Sequence, residues 1–360
     1  MPVRSRDRVA RILAHQEADR VPFQGGFGGE VRAVIDGLDI PDDWREYCRT
    51  GDFHGSHLEA APGHRETFAE FLPGLPDEAE VSLWGVGRLA LKSVQGYHAG
   101  HTYYHPLAAV DTVAGLERYP WPDVAKLTSL ESLTEEFRAA RAEGFTVVGN
   151  LSQSILETGY LLRGMERLMM DFHDRLAFVH RLFEKLSEQK QAAAALYAQA
   201  GTDVVRIGDD IATQEGLMVS LGLYREFIKP RHRAIIEAAR RANPTVPVLY
   251  HSDGNLTPLL RDLIEIGVTA INPVQPECMD LAAVKREYGR DLVLWGCMPV
   301  QSVFAHGTGE DVLAHLRFLM DEVTPGGGLI LQFTNVILTP RVLDNLGVFF
   351  CGLLEMGKYR

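Results

Sequence analysis

The stretch Val246-Pro247-Val248-Leu249-Tyr250-His251-Ser252-Asp253-Gly254-Asn255 decides the fold. Its first half is apolar without alternation, the pattern of a parallel strand covered on both faces. Its second half turns polar at once. His251 and Asp253 stand two residues apart, so an extended chain puts both on one face. Ionisable side chains converging at the end of a buried strand are what a parallel α/β sheet places at its carboxyl edge, where ligands bind.

The same design recurs on both sides of it. Thr146-Val147-Val148-Gly149-Asn150 and Asp203-Val204-Val205-Arg206-Ile207 lie upstream, and Thr269-Ala270-Ile271-Asn272, Leu292-Val293-Leu294-Trp295 and Leu329-Ile330-Leu331-Gln332 lie downstream. Helical patterns separate these runs. Thr257-Pro258 opens one helix, whose stripe of Leu259, Leu260, Leu263 and Ile264 stops at Gly267. Asp280 opens another that Gly289 closes, and Thr308-Gly309-Glu310-Asp311 has the form of a capping box. The helical region from Met165 to Ala200 is long enough to require a break. Val21-Pro22-Phe23-Gln24 and the segment around Arg88-Leu89-Ala90-Leu91-Lys92 supply two more strands, completing the count of an eight-stranded barrel. The expected fold is therefore α/β, a (β/α)8 TIM barrel. It should form one domain over residues 1–360, with N-terminal insertions at the barrel mouth over residues 26–80 and 93–140.

Composition narrows the class. The 360 residues are 46% hydrophobic and 23% charged, with a formal net charge of −12. No basic stretch offers a footprint for nucleic acid, and no apolar run reaches the ~18 residues of a membrane span. Met1-Pro2-Val3-Arg4-Ser5-Arg6-Asp7-Arg8 has no apolar secretory core. The cysteines Cys48, Cys278, Cys297 and Cys351 form no CxxC pair. These features predict a soluble cytoplasmic enzyme with a small-molecule substrate, no nucleic-acid partner and no membrane association.

Reading the end of each strand collects the candidate site. Asn150 and Ser152 come first, then Asp209 and Asp210, then His251 and Asp253. Asn272 and Gln275, Cys297, and Gln332 with Thr334 and Asn335 follow. Asp209 or Asp210 equally suits a helix cap, and Asn272 before Pro273 equally suits a tied-off loop. Cys48, Cys278 and Cys351 read as small buried hydrophobes, leaving Cys297 as the thiol at a strand end. A Rossmann fingerprint, a P-loop, a nucleophile elbow and an HExxH pair are all missing. Gly25-Gly26-Phe27-Gly28-Gly29 lacks the lysine and hydroxyl of a phosphate cradle and reads as a rim loop.

Taken together, these stretches resemble the uroporphyrinogen decarboxylase superfamily, which holds haem-pathway decarboxylases and corrinoid or coenzyme methyltransferases. The resemblance runs through Arg8-Val9-Ala10-Arg11-Ile12-Leu13, Glu17-Ala18-Asp19-Arg20-Val21-Pro22, His105-Pro106-Leu107 and Tyr119-Pro120-Trp121-Pro122-Asp123. It continues in Gly208-Asp209-Asp210, His251-Ser252-Asp253-Gly254-Asn255, Asn272-Pro273-Val274-Gln275-Pro276 and Pro325-Gly326-Gly327-Gly328. It implies the same barrel. True uroporphyrinogen decarboxylases carry an arginine pair after the first strand, where this chain has Phe23-Gln24-Gly25-Gly26-Phe27-Gly28. A polycarboxylate needs cations, so an acidic protein with none at the mouth is a poor host for uroporphyrinogen. The zinc methyltransferases of the superfamily use His-x-Cys and a later Cys. Here Asp253 stands for the first Cys, while Thr334 and Asn335 occupy the region of the second.

The resemblance thus implies a methyltransferase or demethylase acting on a small C1 donor. A metal or a water would be held at His251 and Asp253, and a zinc site would draw on His251, Asp253 and Cys297. Asp209 or Asp210 would act as base or orienting group, and Asn150, Ser152, Asn272, Gln275, Gln332 and Asn335 would hold substrate. A corrinoid, free or on a partner protein, or tetrahydrofolate would accept the methyl group. The alternatives are a decarboxylase of uroporphyrinogen or a smaller carboxylated pyrrole, and a non-catalytic barrel that binds a corrinoid or tetrapyrrole.

Overall fold

The computed structural model describes residues 4–25, 27–91, 100–333 and 338–359, and in it the apolar runs become parallel strands. In chain order the strands are β1 (Phe23–Gln24), β2 (Phe53–Ser56), β3 (Glu80–Val81), β4 (Gly87–Ala90), β5 (His101–Tyr104) and β6 (Thr146–Ser152). They continue as β7 (Val204–Gly208), β8 (Val248–His251), β9 (Ala270–Val274), β10 (Val293–Cys297) and β11 (Leu329–Gln332). Eight lie side by side in the order β1-β11-β10-β9-β8-β7-β6-β2, every neighbouring pair parallel. With helices wrapped outside, this is the (β/α)8 barrel. The remaining β3, β4 and β5 form a small antiparallel sheet, of which only β5 lies wholly within the expected mouth insertions.

One strand assignment is corrected. The segment around Arg88 is not a barrel strand but β4, the centre of the antiparallel sheet. The place beside β6 belongs to Phe53-His54-Gly55-Ser56, within the stretch expected to be insertion. These four residues include no β-branched side chain, and Ser56 alone among them is buried. A solvent-grazed edge of this kind leaves no apolar run to read.

Between β1 and β2 the ladder is replaced by one residue. The N–H of Asp52 donates to the carbonyl of Phe23 at 2.9 Å, and the N–H of Phe23 donates to Asp52 Oδ2 at 2.9 Å. The same carboxylate accepts from Arg8 Nη1 at 2.8 Å and from the Tyr47 hydroxyl at 2.6 Å. Arg8 also grips Asp19 with two bonds of 2.7 and 2.8 Å. Asp52 and Arg8 are both buried, so this ion pair staples the seam where the sheet meets itself.

The helices largely keep their expected signals. Asp280 caps Leu281–Tyr288, Thr308 and Asp311 make a reciprocal capping box, and Gly267 ends Leu260–Ile266 with a left-handed φ of 99°. The long region breaks at Arg175, between Met165–Asp174 and Leu176–Gln199. At Thr257 the cap comes instead from Asn255, whose Oδ1 accepts the Thr257 N–H at 3.0 Å. Inside the barrel, Val148, Val204, Leu249, Val293 and Ile330 pack with Trp295, and Val9 and Ile12 of the helix Ser5–Leu13 join them from the amino-terminal end. That apolar layer is the floor on which the polar site stands.

Candidate active site

Side chains of β7 alternate, so Val204 joins the floor and Arg206 shares its inward face one layer higher. Gly208 ends the strand. A Cβ there would come within 2.0 Å of the His251 carbonyl oxygen, which is why β7 and β8 can approach only with glycine at this position. Beyond Gly208 the two acids part. Asp209 turns into the core and accepts the N–H groups of Ile155 and Glu157, each at 3.0 Å, at the start of Leu156–Arg163. His232 Nε2 lies 2.8 Å from its other oxygen. Burial works to raise the Asp209 carboxyl, but His232 and the backbone donors hold it below its ordinary range. Asp209 is a helix cap, for the helix after β6 rather than the one after β7.

Asp210 faces the other way, into a cavity of about 950 Å³ at the barrel mouth that His251, Arg206 and Glu157 also line. Its Oδ1 accepts the Asp253 N–H at 2.8 Å, while its own N–H donates to Glu157 Oε2 at 3.0 Å. One donor atom each from Asp210, His251 and Asp253 lies within 4.8 Å of the others, a group able to hold a metal ion. His251 is prepared for that role by its back. Asn272 spends its Nδ2 on Gln332 Oε1 at 2.7 Å and on the Trp295 carbonyl at 3.3 Å. Its Oδ1, 2.8 Å from His251 Nδ1, therefore accepts, so Nδ1 carries the proton and Nε2 presents a lone pair. His251 Nε2 lies 3.9 Å from Asp210 Oδ1. Burial, reinforced by the charge of Arg206, holds His251 down to about 3, so its imidazole is neutral at physiological pH.

Two further residues in the cavity change its electrostatics. Glu157 is buried, and burial with the nearby charges of Asp209 and Asp210 pushes its carboxyl up to about 8. At neutral pH it is largely a protonated acid. Burial, with the charge of Asp209, lifts Asp210 above its ordinary value, against the pull of the Asp253 N–H and of Arg206. Arg206, lowered by burial to about 10, stays cationic. The expectation of a mouth without cations is corrected, because Arg206 and Arg88 both line the cavity. Arg206 comes from the middle of a barrel strand rather than from the segment after β1.

The predicted residues therefore separate into three sets. Asn150, Ser152, Asp210 and His251 line the cavity, and Asp253 joins Asp210 and His251 in the donor group. Asn272, Gln332 and Gln275 stand behind. The first two form the chain supporting His251, and Gln275 Oε1 accepts the Gly254 N–H at 2.6 Å. Cys297 and Asp209 lie elsewhere, and Asn335, like Thr334, falls outside the described residues. Cys297 departs from strand alternation because Gly296 and Cys297 take positive φ values of 113° and 59°. Its side chain joins the hydrophobic core, where burial raises the thiol well above its usual range, and it forms no part of the donor group. Glu157 and Arg206 were missed. An arginine inside the run Val204-Val205-Arg206-Ile207 was a legible signal, since a buried strand seldom keeps a charge without use.

Comparison with known proteins fits this architecture. A family model described as uroporphyrinogen decarboxylase matches residues 97–350. A uroporphyrinogen decarboxylase from Gloeobacter violaceus is 23% identical over 239 residues, covering 64% of this chain and 65% of that protein. Uroporphyrinogen decarboxylase 2, chloroplastic, from Arabidopsis thaliana is 25% identical over 155 residues, covering 42% of this chain and 38% of that protein. The chain thus spans less than two thirds of the length of these relatives. A methyltransferase from Methanosarcina mazei shares the fold over 98% of both chains, with a TM-score of 0.64 and 17% identity.

Proposed function

The chain belongs to the uroporphyrinogen decarboxylase family, and from that premise we propose that it transfers a methyl group from a small donor, as a methyltransferase or demethylase centred on His251. One observation carries the reading. The cavity sets a neutral imidazole, its lone pair bared by the Asn272 contact, among the carboxylates Asp210 and Asp253. Such a group of donors suits a cation or a polar heteroatom. The same scaffold carries a methyltransferase in Methanosarcina mazei.

One nitrogen and two carboxylate donors fit a divalent ion such as zinc, which Asp210, His251 and Asp253 would hold. When bound, that ion would supply Lewis-acid polarisation of the donor's heteroatom. The chain's own residues account for the rest. Glu157 gives its carboxyl proton to the heteroatom as the carbon–heteroatom bond breaks. The bonding pair stays with the heteroatom, and the methyl group passes to a nucleophilic acceptor, a reduced corrinoid or tetrahydrofolate. Asn272 and Gln332 hold the His251 tautomer, and Asp209 fixes the first turn that carries Glu157.

The test is metal analysis of the purified protein together with a methyl-transfer assay to cob(I)alamin. About one divalent ion per chain is expected, lost in His251→Ala with a fall in transfer of about a hundredfold or more. A metal-free protein whose His251→Ala variant keeps wild-type transfer would sink the reading. Formation of coproporphyrinogen from uroporphyrinogen under anaerobic conditions would replace it with decarboxylation.

A further inference from the structure

We propose that Arg206, with Ser152 beside it, anchors a single carboxylate of the substrate, so that the donor is a small monocarboxylic acid whose reacting end lies at His251. The carboxylate subsite stands on cavity geometry, and only the word donor rests on the methyl-transfer reading.

The two fully buried guanidinium groups of the described residues are both paired. Arg8 is paired with Asp19 and Asp52. Arg163 is paired with Asp171 at 2.7 Å and donates to the carbonyls of Leu107 and Val110 at 2.6 and 2.7 Å. Arg206 differs. Its Nε is buried without a hydrogen-bond partner, and among the described residues no carboxylate forms an ion pair with it. Asp210, Asp253 and Glu157 are close enough to act on its charge yet do not close on it. A partly buried guanidinium on which no carboxylate closes is held at a cost, and left open to a cavity it is a fork waiting for a planar anion.

A second unsatisfied group stands one pleat further along β6. Register pairs Arg206 with Asn150 and Gly208 with Ser152 across β6 and β7. The Ser152 hydroxyl is likewise buried without a partner, and both residues line the cavity. A carboxylate between them satisfies both. Asp210 and Asp253, near enough to act on the Arg206 charge, oppose a second negative charge, which favours a monoanion over a phosphate dianion.

The anchor is tested by equilibrium binding, independent of turnover. The probes are 4-methoxybutanoate, its neutral amide 4-methoxybutanamide, and inorganic phosphate, titrated calorimetrically into wild type, Arg206→Gln and Ser152→Ala. Wild type is expected to prefer the acid over the amide by about tenfold or more, with phosphate weaker than the acid. Arg206→Gln should abolish that preference while its melting temperature stays level or rises, and Ser152→Ala should reduce it. If Arg206 merely balanced Asp210 and Asp253, its loss would lower the melting temperature and weaken acid and amide alike. That outcome overturns the proposal, as does equal or undetectable binding of acid and amide to wild type, or a preference for phosphate. A chain that selects the acid but moves no methyl group keeps the anchor and loses the proposed reaction.

Discussion

Glu157 and Asp209 show how position separates identical chemistry. Both carboxyl groups are buried within a few ångströms of the same helix start, yet their affinities for a proton move in opposite directions. Asp209 is surrounded by donors, whereas Glu157 faces other acids and keeps its proton. Exchanging that proton-bearing group for an amide should spare substrate binding and remove the acid. Glu157→Gln is expected to lower kcat by about a hundredfold with little change in KM, as steady-state kinetics would show. In sequence the Asp209-Asp210 pair was visible as a unit, but its division of labour was not. That division depends on the backbone at Gly208, which turns one acid inward and the other toward the cavity. His251 was legible as the polar end of an apolar strand, whereas Asp253 lies two residues beyond the end of β8, where its N–H donates to Asp210.

Among elements, the short strands decide what could be foreseen. Long apolar runs such as β7 and β10 announced themselves, since a strand covered on both faces needs them. β2 has only Phe53, His54, Gly55 and Ser56, and it is held by its neighbours rather than by its own composition. The seam it borders depends on Asp52, so the barrel's closure rests on a buried charge and not on a ladder. Asp52→Asn keeps the shape but leaves the buried Arg8 with Asp19 as its ion-pair partner and an amide at the seam. It should cost about 3 kcal/mol or more of unfolding free energy in urea titrations. Asp42, whose side chain is 98% exposed beside Arg45, offers the control, and Asp42→Asn should leave the transition almost unmoved.

Across the whole molecule, histidines whose affinity for a proton is lowered set the response to acid. Burial, before any other cause, holds His15, His57, His251 and His315 below their ordinary value of 6.5. Below about pH 6.5 the unfolded chain therefore takes up protons that the native state refuses, and stability falls as pH falls. His315, whose Nε2 lies 2.8 Å from the Cys297 carbonyl, isolates the effect away from the cavity. Between pH 7 and 5 wild type should lose more unfolding free energy than His315→Gln, by up to about 1.4 kcal/mol per pH unit. The barrel itself was readable because parallel strands and their helices repeat one pattern. The mouth was less so, since Trp84, Tyr103 and Arg88 reach the cavity from segments whose pairing is antiparallel and short. The floor made by Val9, Ile12, Val148, Val204 and Trp295 has a consequence for traffic. Among the described residues that layer closes the chamber from beneath, so on the methyl-transfer reading donor and acceptor would share one doorway. Whichever enters first must leave room above itself, or depart before the other arrives.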